Sequence, residues 1–157
     1  MKRRIFLGHG ASLLAAGALA APIATAAALP DTVVRVKRSI VGVGTHLQTR
    51  SPAIAFAGTG FVVGDGLSVI TNAHVVPEKL DGARKETLGV VVGDGAAVAF
   101  RPATLVGLDR EHDLAHLRLE GTPLPPVTLA GREDAREGQE LAFTGFPLGM
   151  VLGLNHV

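Results

Sequence analysis

Short apolar runs separated by glycine-rich or polar turns dominate the chain from residue 32 onward. Asp-Gly pairs at residues 65–66 and 94–95 lie between such runs, and they predict hairpins because glycine adopts a positive φ at no steric cost. The polar stretch 77–87 predicts a surface loop. The runs predict strands over residues 39–45, 58–63, 67–71, 88–92, 96–100, 105–108 and 114–119, with another beginning at 140. Together they predict an all-β sandwich or barrel.

The first 26 residues differ from the rest of the chain. A basic start, Met-Lys-Arg-Arg, leads into an Ala/Gly/Leu-rich run with small residues near Ala26, which is the layout of a secretory signal peptide. We prefer a cleaved signal to a membrane anchor because Pro22 interrupts the run and its Ala and Gly residues are weakly hydrophobic. Arg3-Arg4 resembles a twin-arginine signal, while the general route stays open; either predicts a periplasmic or secreted protein.

Composition narrows the classes of function. Removal of residues 1–26 takes away three of the 15 basic side chains and no acidic one, which leaves a net charge of about −2. No cluster of Lys or Arg remains, so nucleic acid is not an expected partner. The chain has no cysteine, which excludes thiol chemistry and disulfides, so the exported domain must depend on its apolar core.

The most informative segment contains a histidine just past an apolar run. Residues 71–76 read Thr-Asn-Ala-His-Val-Val and follow Gly-Thr-Gly-Phe at residues 58–61. This combination resembles the histidine motif of trypsin-fold serine proteases in their bacterial HtrA (DegP-like) form. The resemblance implies a trypsin-like antiparallel β-barrel, the first of two, with His74 as general base of a catalytic triad. Relatives with disulfides carry a cysteine after that histidine, where this chain has Val75.

A second segment supplies a candidate aspartate. Asp113 opens the run Asp-Leu-Ala, as the triad aspartate of the family does, and Asp109 matches an acidic residue often found four positions earlier. Strand alternation places Asp113 on the same face as Ala115 and Leu117. We therefore expect Asp113 to point inward and to be paired with a donor, and Asp109 to be a solvated turn residue.

His112-Asp-Leu-Ala-His116 also imitates the His-Glu-x-x-His zinc motif, which would make the protein a zinc hydrolase. That motif requires a helix, whereas the alternation after Asp113 favours a strand. In a strand the two histidines are about 13 Å apart, too far to share an ion. We expect no metal and no cofactor. His46 has no partner motif and is read as a polar strand residue.

The third segment bears on the extent of the domain. Gly-Phe-Pro-Leu-Gly at residues 145–149 resembles the entry into the second barrel of these proteases, so the resemblance covers residues 32–150. The four serines are Ser12, Ser39, Ser51 and Ser68, and none stands in the Gly-x-Ser-Gly-Gly setting of the family nucleophile. We therefore expect residues 27–157 to be the first barrel and the start of a truncated second, inactive alone.

The resemblance implies a serine endopeptidase that acts on proteins or peptides. It leaves open whether the full-length parent forms a homo-oligomer. The alternative is a pseudoprotease, in which the barrel is an interaction module without catalysis. Retention of both His74 and Asp113 favours the enzyme, because a binding module needs neither. No stable membrane insertion is expected once the signal peptide is removed.

Overall fold

Six antiparallel strands close into a barrel in the computed structural model, which describes residues 29–93, 98–131 and 136–146. Around the barrel the order is β1-β2-β3-β6-β5-β4, with every neighbouring pair antiparallel. The strands are β1 (Ile40–His46), β2 (Ile54–Val63), β3 (Ser68–Thr71), β4 (Thr87–Gly93), β5 (Val98–Asp109) and β6 (Leu114–Leu119). The predicted all-β antiparallel barrel is confirmed.

The barrel interior is filled mainly by valine and leucine. In β6 the buried residues Ala115, Leu117 and Leu119 alternate with less buried ones, as the two-residue period of a strand requires. The largest fully buried side chains of the main core cluster are Val41, Val43, Val62, Val69, Val90, Leu117 and Leu119. Each such side chain contributes about 1.5–3 kcal/mol relative to exposure, so this core is the main source of stability in a domain without cysteine.

The predicted hairpin between β2 and β3 is present. Gly64 and Gly66 have φ of +59° and +80°, the left-handed region that glycine enters without a Cβ clash. Asp65 stabilises the turn, since its Oδ1 accepts a hydrogen bond from Leu67 N at 3.0 Å. The corresponding Asp94-Gly95 turn lies outside the described residues.

Three predicted elements were wrong. The barrel is preceded by a helix, α1 (Leu29–Lys37), where the sequence suggested only β structure. Its adjacent valines imitate a strand, but Asp31 in the first turn and Arg35 and Lys37 in the last turn favour a helix through its dipole. The helix and residues 139–144 line the same surface pocket, a long-range arrangement that local pattern does not reveal.

The other two errors concern strand limits. Residues 96–100 and 105–108 were predicted as separate strands, but Val98–Asp109 is continuous and passes through Pro102. Its pairing with β6 shifts between Leu105 and Gly107. Residues 140–144 form no strand, and Phe143 is 92% exposed. The predicted loop over residues 77–87 is confirmed, with one short 3-10 turn at Gly82–Arg84.

The final described residues return to the barrel surface. Phe146 is buried, packs edge-to-face on Phe56 at 6.2 Å between ring centroids, and donates its N–H to Thr59 Oγ1 at 3.0 Å. Residues 147–150, the rest of the predicted entry to a second barrel, lie outside the described residues, as does the predicted signal peptide at 1–26. No helix in the described ranges has the length and apolarity needed to cross a membrane.

Candidate active site

His74 lies on a short 3-10 turn, Ala73–Val75, directly after β3. Its neighbours Ala73 and Val75 are buried, whereas the His74 side chain is 71% exposed. The strand leading into the turn is tied to β2, because Thr71 Oγ1 donates to the carbonyl of Thr59 at 2.8 Å. Two buried anchors and a fixed strand therefore present the imidazole at the barrel surface.

Close contact with a glycine of β2 fixes the position of this turn. A Cβ atom on Gly58 would lie 2.5 Å from Cγ2 of Val75, closer than any real carbon contact. The glycine of the Gly-Thr-Gly-Phe segment is therefore required so that Val75 can pack against the strand backbone. The two parts of the histidine motif, separated in sequence, are one packing unit.

Asp113 is the last residue of the four-residue turn that joins β5 to β6. The expectation that it points inward with Ala115 and Leu117 was wrong. Its φ of +54° takes it out of the strand, so the alternation begins one residue later, and its side chain is 45% exposed. This turn directs the carboxylate toward His74 instead of into the core.

The carboxylate of Asp113 receives three hydrogen bonds from the histidine segment. Its Oδ2 lies 2.7 Å from Nδ1 of His74, and its Oδ1 accepts the His74 backbone N–H at 3.0 Å. Asn72 Nδ2 donates to Oδ2 and to the Asp113 carbonyl, both at 3.2 Å. One carboxylate thus fixes both the backbone and the ring of His74.

These contacts favour the ionised form of Asp113. The His74 backbone N–H is the main cause that holds the pKa of Asp113 below its ordinary value of 3.8; partial desolvation opposes it, and the His74 ring and Asn72 add to it. An ionised Asp113 requires Nδ1 of His74 to carry a proton. The neutral ring then has its lone pair on Nε2, where it can accept a proton from a nucleophile.

The structure brings together both site residues that the sequence predicted. It also adds Asn72, which sequence reasoning missed although it stands two residues before His74 in the same motif. Asp109 is not a simple solvated turn residue, because its Oδ2 lies 2.8 Å from Nδ1 of His112. His46 ends β1 as expected, with its ring 5.3 Å from that of Phe100 between centroids.

The zinc motif does not form the geometry it would need. Residues 114–119 are a strand, and His116 pairs with Ile70 and Gly107 of the neighbouring strands. His112 lies in the turn before the strand and contacts Asp109. Within the described ranges no three potential ligands converge. The zinc-motif interpretation, which needs both histidines on one face of a helix, is therefore wrong for this segment.

Comparison with known proteins points to one family. A family model described as trypsin-like peptidase domain matches residues 58–154, which include His74 and Asp113. The chain is 37% identical over 93 residues to a probable periplasmic serine endoprotease DegP-like of Halomonas elongata, covering 59% of this chain and 18% of that protein. A Chlamydia trachomatis protein of the same name is 32% identical over 111 residues, or 69% of this chain and 20% of that protein.

Similarity extends to a mitochondrial protease and to a solved structure. Serine protease HTRA2 of Drosophila pseudoobscura is 33% identical over 99 residues, covering 63% of this chain and 22% of that protein. The crystal structure of Deg5 superposes with a TM-score of 0.62 at 26% identity, covering 82% of this chain and 58% of that one. The chain spans about a fifth of the length of the curated relatives it matches.

Proposed function

Because this chain belongs to the trypsin-like peptidase domain family, we propose that it provides the general base and its orienting acid to a serine endopeptidase that hydrolyses proteins. His74 is the base and Asp113 the acid. The observation that carries the proposal is the 2.7 Å contact between Nδ1 of His74 and Oδ2 of Asp113, on a ring that is mostly exposed. The same carboxylate also accepts the His74 backbone N–H at 3.0 Å, so the exposed ring is held in a fixed orientation.

The mechanism assigns one task to each group. His74 Nε2 accepts the proton of a serine hydroxyl as the oxygen attacks the peptide carbonyl, and then returns it to the leaving amine. Asp113 keeps the proton on Nδ1 and stabilises the imidazolium that forms in between. Asn72 holds Asp113 in place from the other side. Nothing in this scheme calls for a cofactor.

The nucleophile comes from outside these 157 residues in our proposal. Ser12 lies in the proposed signal peptide, and no hydrogen bond joins the His74 ring to any serine in the described residues. Ser39 is buried, and Ser68 Oγ accepts from Arg118 at 3.1 Å. The chain alone is therefore inactive, and the triad is completed in the full-length gene product.

Residues 1–26 are proposed to direct the protein out of the cytoplasm. The basic start followed by a small-residue apolar run supports this, as do relatives that are named periplasmic. Substrates would then be exported or periplasmic proteins.

The test is proteolysis by the full-length gene product. We expect hydrolysis of a casein-type substrate, with a loss of at least about 10³-fold in kcat for His74→Ala. His46→Gln is the matched control, because His46 also follows a strand run but packs on Phe100. Equal activity of wild type and His74→Ala would contradict the proposal, and no activity in either would favour the interaction module.

A further inference from the structure

A second aspartate–histidine pair lies in the turn between β5 and β6. Asp109 Oδ1 accepts the backbone N–H of His112 at 3.1 Å, and its Oδ2 lies 2.8 Å from His112 Nδ1. This repeats the form of the Asp113–His74 pair, in which one carboxylate also receives a backbone N–H and the Nδ1 of the same histidine. The mechanism above gives this second pair no task.

Its position in the turn suggests what it does. Asp109 is paired with Leu114 across the two strands, so only residues 110–113 form the turn. His112, which Asp109 holds at both backbone and ring, immediately precedes Asp113. The carboxylate of Asp109 thus fixes the residue that directly precedes Asp113.

Asp113 needs such support because of its own backbone. A φ of +54° is a conformation that residues with a Cβ rarely adopt, although aspartate tolerates it better than most. If the turn relaxed toward a commoner conformation, the Asp113 carboxylate would swing away from His74. The hydrogen bonds that fix the preceding residue therefore bear on the catalytic pair.

Other charged groups around this turn cannot replace Asp109. Arg110 and Glu78 approach within 3.6 Å, but their side chains are 59% and 83% exposed, so this ion pair contributes little. Glu111 is an exposed residue of the same turn. Asp109 bonds the backbone N–H of His112, whereas the uncharged Asn72 bonds only the carbonyl of Asp113 at the far end of the turn.

We propose that Asp109, acting through His112, is a positioning residue that holds the β5–β6 turn so that Asp113 meets His74. The proposal rests on the proposed protease function for its kinetic consequence. It does not make Asp109 or His112 a catalytic residue, because neither contacts His74. The role of Asp109 and His112 in this proposal is to hold the backbone conformation of Asp113.

The experiment measures kcat, KM and the His74 ring in the full-length gene product. Asp109→Ala removes both bonds to His112, and Asp109→Asn keeps an acceptor for the backbone N–H of His112. Asp65→Ala is the matched control, because Asp65 also accepts a backbone N–H in a hairpin turn, that of Leu67, but bonds Arg118 instead of a histidine. The ring readout is the His74 Nδ1–H resonance in histidine-labelled protein, which bonding to a carboxylate moves downfield.

We expect Asp109→Ala to lower kcat about 10- to 100-fold, since small misplacements of catalytic groups have costs of this size. KM should stay within about twofold, and the His74 Nδ1–H resonance should weaken or move upfield. Asp109→Asn should keep most of the wild-type kcat and a resonance close to that of wild type. Asp65→Ala should change neither the kcat nor the resonance. Wild-type kcat and resonance in Asp109→Ala would overturn the proposal.

Two further outcomes are separated by design. If Asp109→Ala fails to fold, His112→Ala decides, because it removes the ring contact with Asp109 while the carboxylate stays in place. Reduced kcat and an altered His74 resonance in His112→Ala support the proposal, and wild-type values in His112→Ala overturn it. Loss of the proposed function itself would appear differently, as equal activity of His74→Ala and wild type, while the His74 resonance would still report on Asp109.

Discussion

The methyl groups of Val75 occupy the space in which a side chain at Gly58 would lie, with Cγ2 of Val75 2.5 Å from the position of such a Cβ. Gly58 begins the Gly-Thr-Gly-Phe segment of β2, and Val75 follows His74 on the turn after β3. The contact holds the turn that contains His74, the proposed base, against strand β2. Gly58 and Val75, 17 positions apart in the sequence, are thus held together by a single steric requirement.

Substitution of Gly58 by alanine should displace Val75 and with it His74. We expect a loss of about 1–3 kcal/mol in the free energy of unfolding, the usual cost of overpacking, measured by urea denaturation. The double variant Gly58→Ala/Val75→Ala should be more stable than the sum of the single changes predicts, by about 0.5–3 kcal/mol. Gly82→Ala is the control, since a Cβ there would meet nothing within 4 Å. Additive effects in the double variant would argue against the contact.

Glu86 should make the stability of the barrel depend on acid. Its Oε1 accepts from Thr45 Oγ1 at 2.7 Å and from Arg50 Nη1 at 2.9 Å, and its Oε2 accepts from the N–H of Asp81. These bonds, with that from Thr45 the largest cause, lower the pKa of Glu86 from 4.5 to about 2. A carboxylate whose pKa is lowered by folding stabilises the fold at pH values above its pKa in the unfolded chain. That contribution is lost as the pH falls from 4.5 toward 2.

Thermal unfolding across that range tests the claim. Glu86→Gln should lower the Tm at neutral pH and lose less Tm than wild type on acidification, so that the two curves converge near the pH at which Glu86 is protonated. Glu140→Gln, at an exposed glutamate, is the control and should follow wild type. Parallel curves for Glu86→Gln and wild type would show that the carboxylate contributes no acid dependence.

Asp113→Asn should separate binding of substrate from catalysis. The asparagine keeps the shape of the side chain but can no longer require a proton on Nδ1 of His74, so the ring can adopt the tautomer that protonates Nε2. In the full-length gene product we expect kcat to fall about 10⁴-fold with little change in KM. Because the pKa of Asp113 is held below 3.8, the wild-type carboxylate is ionised at every pH above that value. A kcat within tenfold of wild type would remove Asp113 from the triad.

The 157-residue chain by itself should not hydrolyse peptides. It carries the proposed base and orienting acid, but its serines lie in other settings from that of the family nucleophile. A fluorogenic peptide assay of the purified chain should give the same rate for wild type and His74→Ala. A rate above background that His74→Ala abolishes would show that a nucleophile is present within these residues.

How far the sequence could predict this structure depends on the range of the deciding interaction. The barrel and the β2–β3 hairpin were predictable because alternation and Gly64-Asp65-Gly66 act locally. Helix α1 was not, since Val33 and Val34 favour a strand and residues 139–144, which line a pocket together with the helix, are distant in sequence. Residues 96–100 and 105–108 were predicted as separate strands, but the pairing of β5 with β4 and β6 continues through residues 101–104.

The same distinction applies to the site. His74 and Asp113 were both identified from short motifs, but the burial of Asp113 was wrong because one left-handed residue moved it out of the strand alternation. Asn72 and the Asp109–His112 pair were missed since a hydrogen bond between neighbouring turns leaves no periodic pattern. The pairing of His74 with Asp113 could thus be predicted from the sequence, whereas the orientation of Asp113 required the backbone.

The most direct test of the proposed triad is labelling of the full-length gene product with a fluorophosphonate, followed by mass spectrometry of the modified peptide. Only a serine activated by a neighbouring base reacts readily with this reagent. We predict a single labelled serine outside residues 1–157, with labelling lost in His74→Ala and retained in His46→Gln. Equal labelling of wild type and His74→Ala, or no labelled serine in a folded wild-type protein, would contradict the assignment of His74 as the base of a serine protease.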